Sequence, residues 1–210
     1  MDNQKALQYW TQKSRSNVTP LTAKVRSTND FSQMDADFIC QYVGPDCDLL
    51  DLATGTGITL NKYSDRVKSV VAVERYAEFT QFIEKRPNVE VVVSDITDFE
   101  TTRKFDVINF FGIIQYFNRG EAAGLYRKYK AFLKPNGKIL IKNQFGVKED
   151  VLVDGFSEEL QCNYYSEYRT LDTETAILKQ AGFSRFEIVD IYPPEFNRWQ
   201  NTHFYALIVE

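Results

Sequence analysis

The segment DLATGTGIT, residues 51–59, places small residues at Ala53, Gly55 and Gly57 between an apolar run and a helix-compatible stretch. Glycines there let the backbone turn from a strand into a helix and approach a ligand closely, because they have no Cβ. The N-terminus of the following helix favours polar or anionic ligand groups. The loop alone is compatible with a tight turn, a phosphate site or a nucleoside site.

Two acidic residues narrow the class of ligand. Glu74 ends the second apolar run, about 20 residues after Asp51, where an acidic side chain commonly binds the two ribose hydroxyls of a nucleotide. Asp95 follows the third run, VVVSDIT, where its carboxylate can accept from the exocyclic amine of adenine. The next backbone N–H, that of Ile96, can donate to the adenine ring. We therefore expect an adenosine compound.

Which adenosine compound binds is a separate question. A nicotinamide dinucleotide usually requires G-x-G-x-x-G, whereas this loop reads A-T-G-T-G, opens with Asp51 and lacks the third glycine. A nicotinamide-dependent oxidoreductase is therefore the weaker alternative.

Over residues 35 to 210, these motifs resemble those of the class I S-adenosylmethionine-dependent methyltransferases. The first motif of that family, an acidic residue followed by G-x-G-x-G, is similar to DLATGTG, with Ala53 in place of the first glycine. The family's acids after the second and third strands match Glu74 and Asp95, and its final antiparallel strand matches HFYALIVE. The resemblance implies S-adenosylmethionine as the cofactor and S-adenosylhomocysteine as the product.

The resemblance also implies a set of cofactor-binding residues. Gly55 and Gly57 would line the methionine and ribose parts, and Asp51 would orient the loop or reach the methionine amino group. Arg26 would meet the methionine carboxylate, unless it is a solvated surface charge. The full expected set is Asp51, Ala53, Thr54, Gly55, Gly57, Glu74, Arg75, Asp95, Ile96, Asn109, Phe110 and Arg26.

By comparison with the family, the segment after the fourth strand argues against methylation of nucleic-acid bases and against a metal site. Methyltransferases of nucleic-acid amino groups carry [DN]PP[YF] there, whereas this chain reads NFFGIIQY from Asn109 to Tyr116. The pair Pro193 and Pro194 lies elsewhere. Metal-dependent catechol-type members place acidic ligands near Asn109, so we expect no metal.

His203, the one histidine of the chain, is the candidate catalytic residue. Methyl transfer from a sulfonium requires alignment and, for a hydroxyl acceptor, removal of a proton. Topology puts the start of the last strand at the ligand-binding edge of the sheet. His203 is therefore predicted to be the general base; the alternative is a hydrogen-bonded histidine without a catalytic role.

Aromatic, amide and arginine side chains are predicted to bind the acceptor. Aromatic rings stack on sugars or aromatic rings, and arginine binds carboxylate or phosphate. For each aromatic taken singly, the alternative is a place in the local core. The predicted acceptor-binding residues are Gln115, Tyr116, Asn143, Gln144, Tyr165, Tyr168, Arg169, Arg198, Trp199 and Asn201.

Short apolar runs alternate with helix-like segments along the chain. This pattern predicts an α/β fold: a doubly wound, mostly parallel seven-stranded sheet with helices on both faces. The loop PPEFNRWQNT is too short for a helical crossover, so the last strand should be antiparallel. We predict one domain over residues 1–210, with an N-terminal cap at 1–34 and a substrate lid at 146–170.

Composition limits the remaining possibilities. The formal charge is −4 and the basic residues are scattered, which disfavours a nucleic-acid partner. Three cysteines without a CxxC pair indicate neither a disulfide framework nor a zinc cluster. The sequence has no apolar run of the roughly 20 residues that a membrane span needs, so we expect a cytoplasmic protein. We expect it to be a monomer or a homodimer.

We therefore expect a methyltransferase acting on a hydroxyl of a small polar, possibly anionic acceptor such as a sugar or a surface-polysaccharide precursor. The alternatives are an N-methyltransferase of a small amine or amino sugar, and a non-catalytic module that binds S-adenosylmethionine.

Overall fold

The computed structural model describes residues 4–16, 18–23, 29–158, 160–197 and 199–210. The helices of this part of the chain are α1 (Gln4–Ser14), α2 (Ser32–Ile39), α3 (Leu60–Tyr63), α4 (Ala77–Thr80), α5 (Arg119–Lys130) and α6 (Leu171–Gln180). The strands are β1 (Asp48–Leu52), β2 (Ser69–Glu74), β3 (Val89–Val93), β4 (Phe105–Phe111), β5 (Leu133–Gly146), β6 (Val151–Ser157), β7 (Cys162–Tyr168), β8 (Phe186–Asp190) and β9 (Thr202–Val209).

Seven strands form one sheet in the order β3-β2-β1-β4-β5-β9-β8. β1 pairs with β2 in parallel, with Asp51 opposite Ala72, and β2 pairs with β3 in parallel. The last strand, β9, runs antiparallel to both β5 and β8. The strand order reverses between β1 and β4. The predicted doubly wound α/β sheet with an antiparallel C-terminal strand is therefore confirmed.

The described residues group into two compact units. The glycine-loop unit contains Thr11–Asn109 and Phe132–Lys138; the hairpin unit contains Met1–Trp10, Phe110–Ala131 and Ile139–Glu210. In the glycine-loop unit, Leu49, Leu50 and Leu52 of β1 are almost completely buried. A strand covered on both faces carries such a continuous apolar run. The prediction of one domain over residues 1–210 stays a prediction.

One helix is much shorter than its sequence predicts. The segment AEFTQFIEKR, residues 77–86, is typical of a helix, but α4 spans only the four residues Ala77–Thr80, after which the chain turns. The side chain of Asn61 holds that turn, because its Nδ2 donates to the carbonyl of Phe82 at 3.0 Å and its Oδ1 accepts from the backbone N–H of Glu84 at 3.0 Å. These two backbone groups are thus bound to Asn61 rather than to a continuing helix.

The other helices end and begin largely where the sequence predicts. Asn118 caps α5 reciprocally with Glu121, and the two pairs are 3.0 and 3.2 Å long. Gly182, with φ 92°, follows α6. The sequence Lys-Pro-Asn-Gly at residues 134–137 predicts a turn. In the structure these residues are part of β5, and Asn136 has a φ of 63° there.

Two elements were not identified from the sequence. The long segment at 146–170 contains an antiparallel hairpin of β6 and β7, in which Gly155 pairs with Tyr164. The N-terminal segment contains α1. No helix within the described ranges is both long and apolar enough to cross a membrane.

Candidate cofactor and acceptor sites

The loop after β1 adopts a left-handed backbone at every second residue. Ala53, Gly55 and Gly57 have φ of 53°, 59° and 69°. Glycine takes this conformation without steric penalty, whereas an L-residue such as Ala53 does so at a cost. A Cβ built on Gly55 meets no described atom within 4 Å, while one on Gly57 would lie 2.7 Å from Cγ1 of Ile83. Gly55 therefore faces open space, and Gly57 permits close packing.

Asp51 organises this loop from the end of β1. Its Oδ2 accepts the hydroxyl of Thr54 at 2.7 Å and the phenol of Tyr63 on α3 at 2.8 Å. Burial raises the pKa of Asp51, and the two hydroxyl donors act in the opposite direction. Asp51 thus fixes the entry to the loop and the helix that leaves it.

Glu74 ties the end of β2 to the same loop. Its Oε2 accepts the backbone N–H of Gly55 at 2.8 Å, and its Oε1 accepts that of Tyr76 at 2.9 Å. Burial raises the pKa of Glu74, while these backbone donors lower it. An ionised carboxylate can accept further hydrogen bonds, so Glu74 suits a ligand that carries hydroxyl groups.

Asp95 stands after β3 with both carboxylate oxygens oriented. Oδ1 accepts the backbone N–H and the hydroxyl of Thr97 at 2.7 and 2.8 Å. Oδ2 forms an ion pair with the guanidinium of Arg75. Ile96 is buried beside it. The arrangement offers a fixed hydrogen-bond acceptor for an amine.

The remaining predicted cofactor residues have different environments. Asn109 is fully buried on β4 within the glycine-loop unit. Phe110 belongs to the hairpin unit, and its ring packs edge-on against Tyr126 and Tyr129 at 5.6 and 5.2 Å between centroids. That ring is completely buried, and the cofactor-binding role of Phe110 stays a prediction. Arg26 lies outside the described residues.

Comparison with known proteins finds similarity in sequence over part of the chain and in fold over most of it. Residues 49–137 match the family model of a methyltransferase domain. The match covers a little under half of the chain. No functionally curated protein matches the chain in sequence. The matched range contains the glycine loop, Glu74 and Asp95.

Three solved structures illustrate the shared fold. A methyltransferase of Leishmania major described as SAM-dependent superposes with a TM-score of 0.75 at 15% identity, over 99% of this chain and 82% of the other. The 1,6-didemethyltoxoflavin N1-methyltransferase of Burkholderia thailandensis gives 0.74 at 13% identity, over 99% and 85%. The N-methyltransferase NodS of Bradyrhizobium japonicum gives 0.70 at 12% identity, over 98% of both chains.

The hairpin unit contains an aromatic cluster. Tyr164 of β7 donates its phenol to that of Tyr116 at 2.9 Å. Tyr9 and Trp10 of α1 pack edge-on against these two rings, at 5.3 Å for Tyr9 with Tyr164 and 6.1 Å for Trp10 with Tyr116. The cluster thus joins α1, the turn after β4 and the hairpin.

The other predicted acceptor residues fall into two groups. Tyr168 packs edge-on against Trp199 with ring centroids 5.5 Å apart, and Tyr165 is buried on the same strand as Tyr168. The amides form the second group. Gln115 donates through Nε2 to the carbonyl of Gly112 at 2.9 Å, and Gln144 donates to the hydroxyl of Thr202 at 2.5 Å.

Asn143 and Asn201 lie on different parts of the hairpin unit. Asn143 is buried on β5, where it pairs with Tyr205 of β9. Asn201 is exposed, and its carbonyl accepts the backbone N–H of Val147 at 3.0 Å. Arg198 lies outside the described part of the chain.

Arg169 has a structural environment rather than an open one. Its side chain is 0% exposed, and Nε donates to Oε2 of Glu174 at 2.6 Å. Its Nη atoms donate to the carbonyls of Phe117 and Ile114 and to the carboxylate of Glu167, at 2.8, 3.2 and 3.1 Å. Burial opposes the charge, but Glu174 raises the pKa of Arg169 overall. The expectation that Arg169 binds an acceptor anion is therefore not supported.

His203 is held through both ring nitrogens. Nε2 lies 2.7 Å from Oδ1 of Asp190, and Nδ1 lies 2.7 Å from Oδ1 of Asn197. The imidazole also packs edge-on against Tyr205 at 4.6 Å between centroids. A histidine paired with a carboxylate has the form of an oriented base, yet its second nitrogen already has a partner.

Five of the residues in these contacts were missed by the sequence reasoning. Tyr9 and Trp10 carry a weak signal, because two adjacent aromatics interrupt a polar N-terminal segment. Asp190 is the last residue of β8, a position at which functional sites often carry an acidic residue. Asn197 lies in the loop before His203. Tyr63 gave no signal. Among the described residues, no group of three or more His, Cys, Asp or Glu could hold a metal ion.

Proposed function

We propose that this methyltransferase takes its methyl group from S-adenosylmethionine and transfers it to a hydroxyl of a small polar acceptor, such as a sugar or a surface-polysaccharide precursor. One observation carries the cofactor assignment: the left-handed loop at Ala53, Gly55 and Gly57 is bonded to Glu74, which ends the strand next to that of Asp95. The toxoflavin-pathway enzyme and NodS were both solved with S-adenosylhomocysteine, which supports it.

The proposed acceptor is neutral and carries a ring. The acceptor is proposed to contact the aromatic residues of the hairpin unit, in which Trp199 is half-buried while Tyr116, Tyr164 and Tyr168 are buried. Oε1 of Gln115 has no hydrogen-bond partner among the described residues, so it can accept from a hydroxyl. Aromatic faces with a few polar groups suit a sugar or a heterocycle. The guanidinium of Arg169 already donates to carboxylates and carbonyls of the protein. It is therefore not proposed to bind an anionic group of the methyl acceptor.

We propose the N-terminal segment at 1–34 and the segment at 146–170 as the elements that select the acceptor. α1 supplies Tyr9 and Trp10 to the aromatic cluster, and β7 supplies Tyr164. Both contributions lie within the hairpin unit.

The transfer is a displacement at carbon. The acceptor oxygen forms a bond to the methyl carbon while the carbon–sulfur bond breaks, so the sulfonium becomes the neutral thioether of S-adenosylhomocysteine. The hydroxyl proton must leave to a base. His203 can take that proton at Nδ1 if the acceptor replaces Asn197 there, and the carboxylate of Asp190 then balances the imidazolium charge.

Transfer to an amine is the second candidate function. Two of the structural neighbours are named as N-methyltransferases, and both ring nitrogens of His203 already have partners. A neutral amine is nucleophilic before it loses a proton, so it needs no base for the attack.

A product analysis separates the two acceptors. The enzyme is incubated with S-adenosylmethionine that carries a deuterated methyl group, together with a panel of neutral sugars, nucleotide-linked sugars and the matching amino sugars. We expect labelled O-methyl products from neutral acceptors, identified by mass spectrometry and NMR. Label found only on nitrogen would establish the amine alternative, and label on none of the panel would contradict this acceptor class. The Glu74→Gln variant is the control for cofactor dependence.

A further inference from the structure

Two carboxylates stand at the ends of neighbouring parallel strands of the glycine-loop unit. Glu74 ends β2, and Asp95 follows β3, whose Val93 pairs with Glu74. The backbone N–H of Ser94 donates to the carbonyl of Glu74 at 2.9 Å, which keeps the two strand ends together. Burial raises the pKa of Glu74, and the charge of Asp95 adds to that increase. The two groups therefore repel each other when both are ionised.

Binding of an adenosine needs both groups ionised. Ribose hydroxyls and the adenine amine are donors, and an ionised carboxylate is purely an acceptor with room for several hydrogen bonds. A protonated carboxyl would present a donor of its own and lose part of that capacity. Some feature of the site must therefore offset the repulsion between Glu74 and Asp95.

Arg75 is placed to do so. It directly follows Glu74, and its guanidinium forms an ion pair with Oδ2 of Asp95, opposite the oxygen that Thr97 holds. Its side chain is 43% exposed while that of Asp95 is only 13% exposed, so the pair is screened by water on one side. The guanidinium also lies 5.9 Å from the centroid of the Tyr76 ring.

We propose that Arg75 is a positioning residue for the adenosine part of the cofactor. Its ion pair fixes the Asp95 carboxylate in the orientation that accepts the adenine amine, and its positive charge offsets the repulsion between Asp95 and Glu74. This inference rests on the proposed function, because it takes S-adenosylmethionine to be the ligand of these carboxylates.

The other ionisable groups around the two carboxylates have separate roles. Asp51 on the neighbouring strand end is bonded to Thr54 and Tyr63. Tyr76 precedes α4, and its phenol contacts the hydroxyl of Thr11 at 3.2 Å. Glu78 of α4 is exposed, and Asp98 lies 3.2 Å from the hydroxyl of Thr97.

The test is the affinity of S-adenosylhomocysteine measured by calorimetry from about pH 5 to about pH 8 in the wild type, Arg75→Met and Arg75→Lys. We expect Arg75→Met to weaken binding about tenfold near neutral pH, as loss of one charge-assisted hydrogen bond implies. The pH at which affinity falls should also move upward in Arg75→Met. Arg75→Lys keeps the charge and should restore most of the affinity and the wild-type pH profile.

Controls separate this role from a structural one. Arg86→Met removes a comparable surface ion pair, that of Arg86 with Glu84 at 2.6 Å, and should leave the affinity and its pH profile unchanged. In an Asp95→Asn background, Arg75→Met should no longer shift the pH profile by the same amount. Wild-type affinity and pH profile in Arg75→Met would overturn the inference alone. Absence of binding in the wild type would overturn the proposed function as well.

Discussion

The carboxylate of Glu74 accepts the backbone N–H of Gly55 at 2.8 Å, and this bond joins the end of β2 to the loop after β1. One acidic residue thus holds Gly55, the first of the two glycines of the loop, in its left-handed conformation, with φ 59°. The second oxygen of the carboxylate accepts from Tyr76. The same side chain that we assign to the ribose hydroxyls therefore also shapes the loop.

Gly57→Ala should destabilise the protein strongly. The new Cβ would lie 2.7 Å from Cγ1 of Ile83, and the residue has φ 69°. A left-handed alanine costs about 1–2 kcal/mol and overpacking about 1–3 kcal/mol, so we expect the free energy of unfolding to fall by about 2–5 kcal/mol. Urea denaturation measures this loss. In a double-mutant cycle with Ile83→Ala, a favourable coupling identifies the contact as a cause, whereas strict additivity would argue against it.

Ala53→Gly should stabilise the protein slightly. Relief of the left-handed alanine at φ 53° gains about 1–2 kcal/mol, and the added freedom of the unfolded chain costs about 0.4–1 kcal/mol. The net gain in the free energy of unfolding is then about 0.5–1 kcal/mol. Gly55→Ala is the matched control, because it introduces the same strain without a clash. If both substitutions changed stability in the same direction, the strain argument would be wrong.

Much of the fold follows from local sequence signals. The buried runs at β1 and β2 and the short loop before β9 predict the sheet correctly, because continuous apolar runs and loop length constrain strand type and direction directly. The hairpin of β6 and β7 was not predicted. Its Gly155 and the exposed Leu152 and Phe156 break the clear alternation of a half-buried strand.

Some residues of the candidate site can likewise be predicted from local sequence, and others cannot. The positions of Asp51, Glu74 and Asp95 are predictable because each lies at, or just after, the end of a strand that an apolar run marks in the sequence. The environment of Arg169 is not, because it depends on Glu174 and on carbonyls more than 50 residues away in sequence. From the sequence, an arginine in a polar, aromatic segment is predicted to bind an anion. Only its tertiary contacts identify Arg169 as part of the core.

Arg169→Met should affect stability rather than acceptor affinity. Removing one partner of a buried ion pair leaves the carboxylate of Glu174 uncompensated, which typically costs about 3–5 kcal/mol. Chemical denaturation should show a loss of that size. Arg119→Met is the control, because its pairs with Asp150 and Glu167 are on the surface. An Arg169→Met variant of nearly wild-type stability but raised acceptor KM would restore the anion-binding role.

Asp51→Asn should change the pH dependence of stability. Burial raises the pKa of Asp51 above its unfolded value, so its contribution is complete below the unfolded pKa and is lost as the pH rises through the folded pKa. The stability of the wild type relative to Asp51→Asn should therefore decrease as the pH rises above the ordinary pKa of an aspartate, about 4. Urea denaturation at several pH values gives this difference. A relative stability that increases over the same range would contradict the assignment.

His203→Gln tests the general base. For a catalytic His203, kcat should fall at least about 100-fold while the affinity for S-adenosylhomocysteine changes little. Asp190→Asn keeps the imidazole but removes the carboxylate that balances its charge, so kcat should fall in that variant as well. A His203→Gln variant that loses melting temperature but keeps its kcat would instead indicate that His203 only fastens the loop of Asn197 to β9.

The central claim is that the glycine-loop unit binds an adenosyl methyl donor. Calorimetric titration of the wild-type protein with S-adenosylhomocysteine tests it most directly, with NAD titrated under the same conditions. We predict saturable binding of S-adenosylhomocysteine and no binding of NAD, because the A-T-G-T-G loop, Glu74 and Asp95 suit an adenosine without a pyrophosphate. Saturable binding of NAD without binding of S-adenosylhomocysteine would contradict the account.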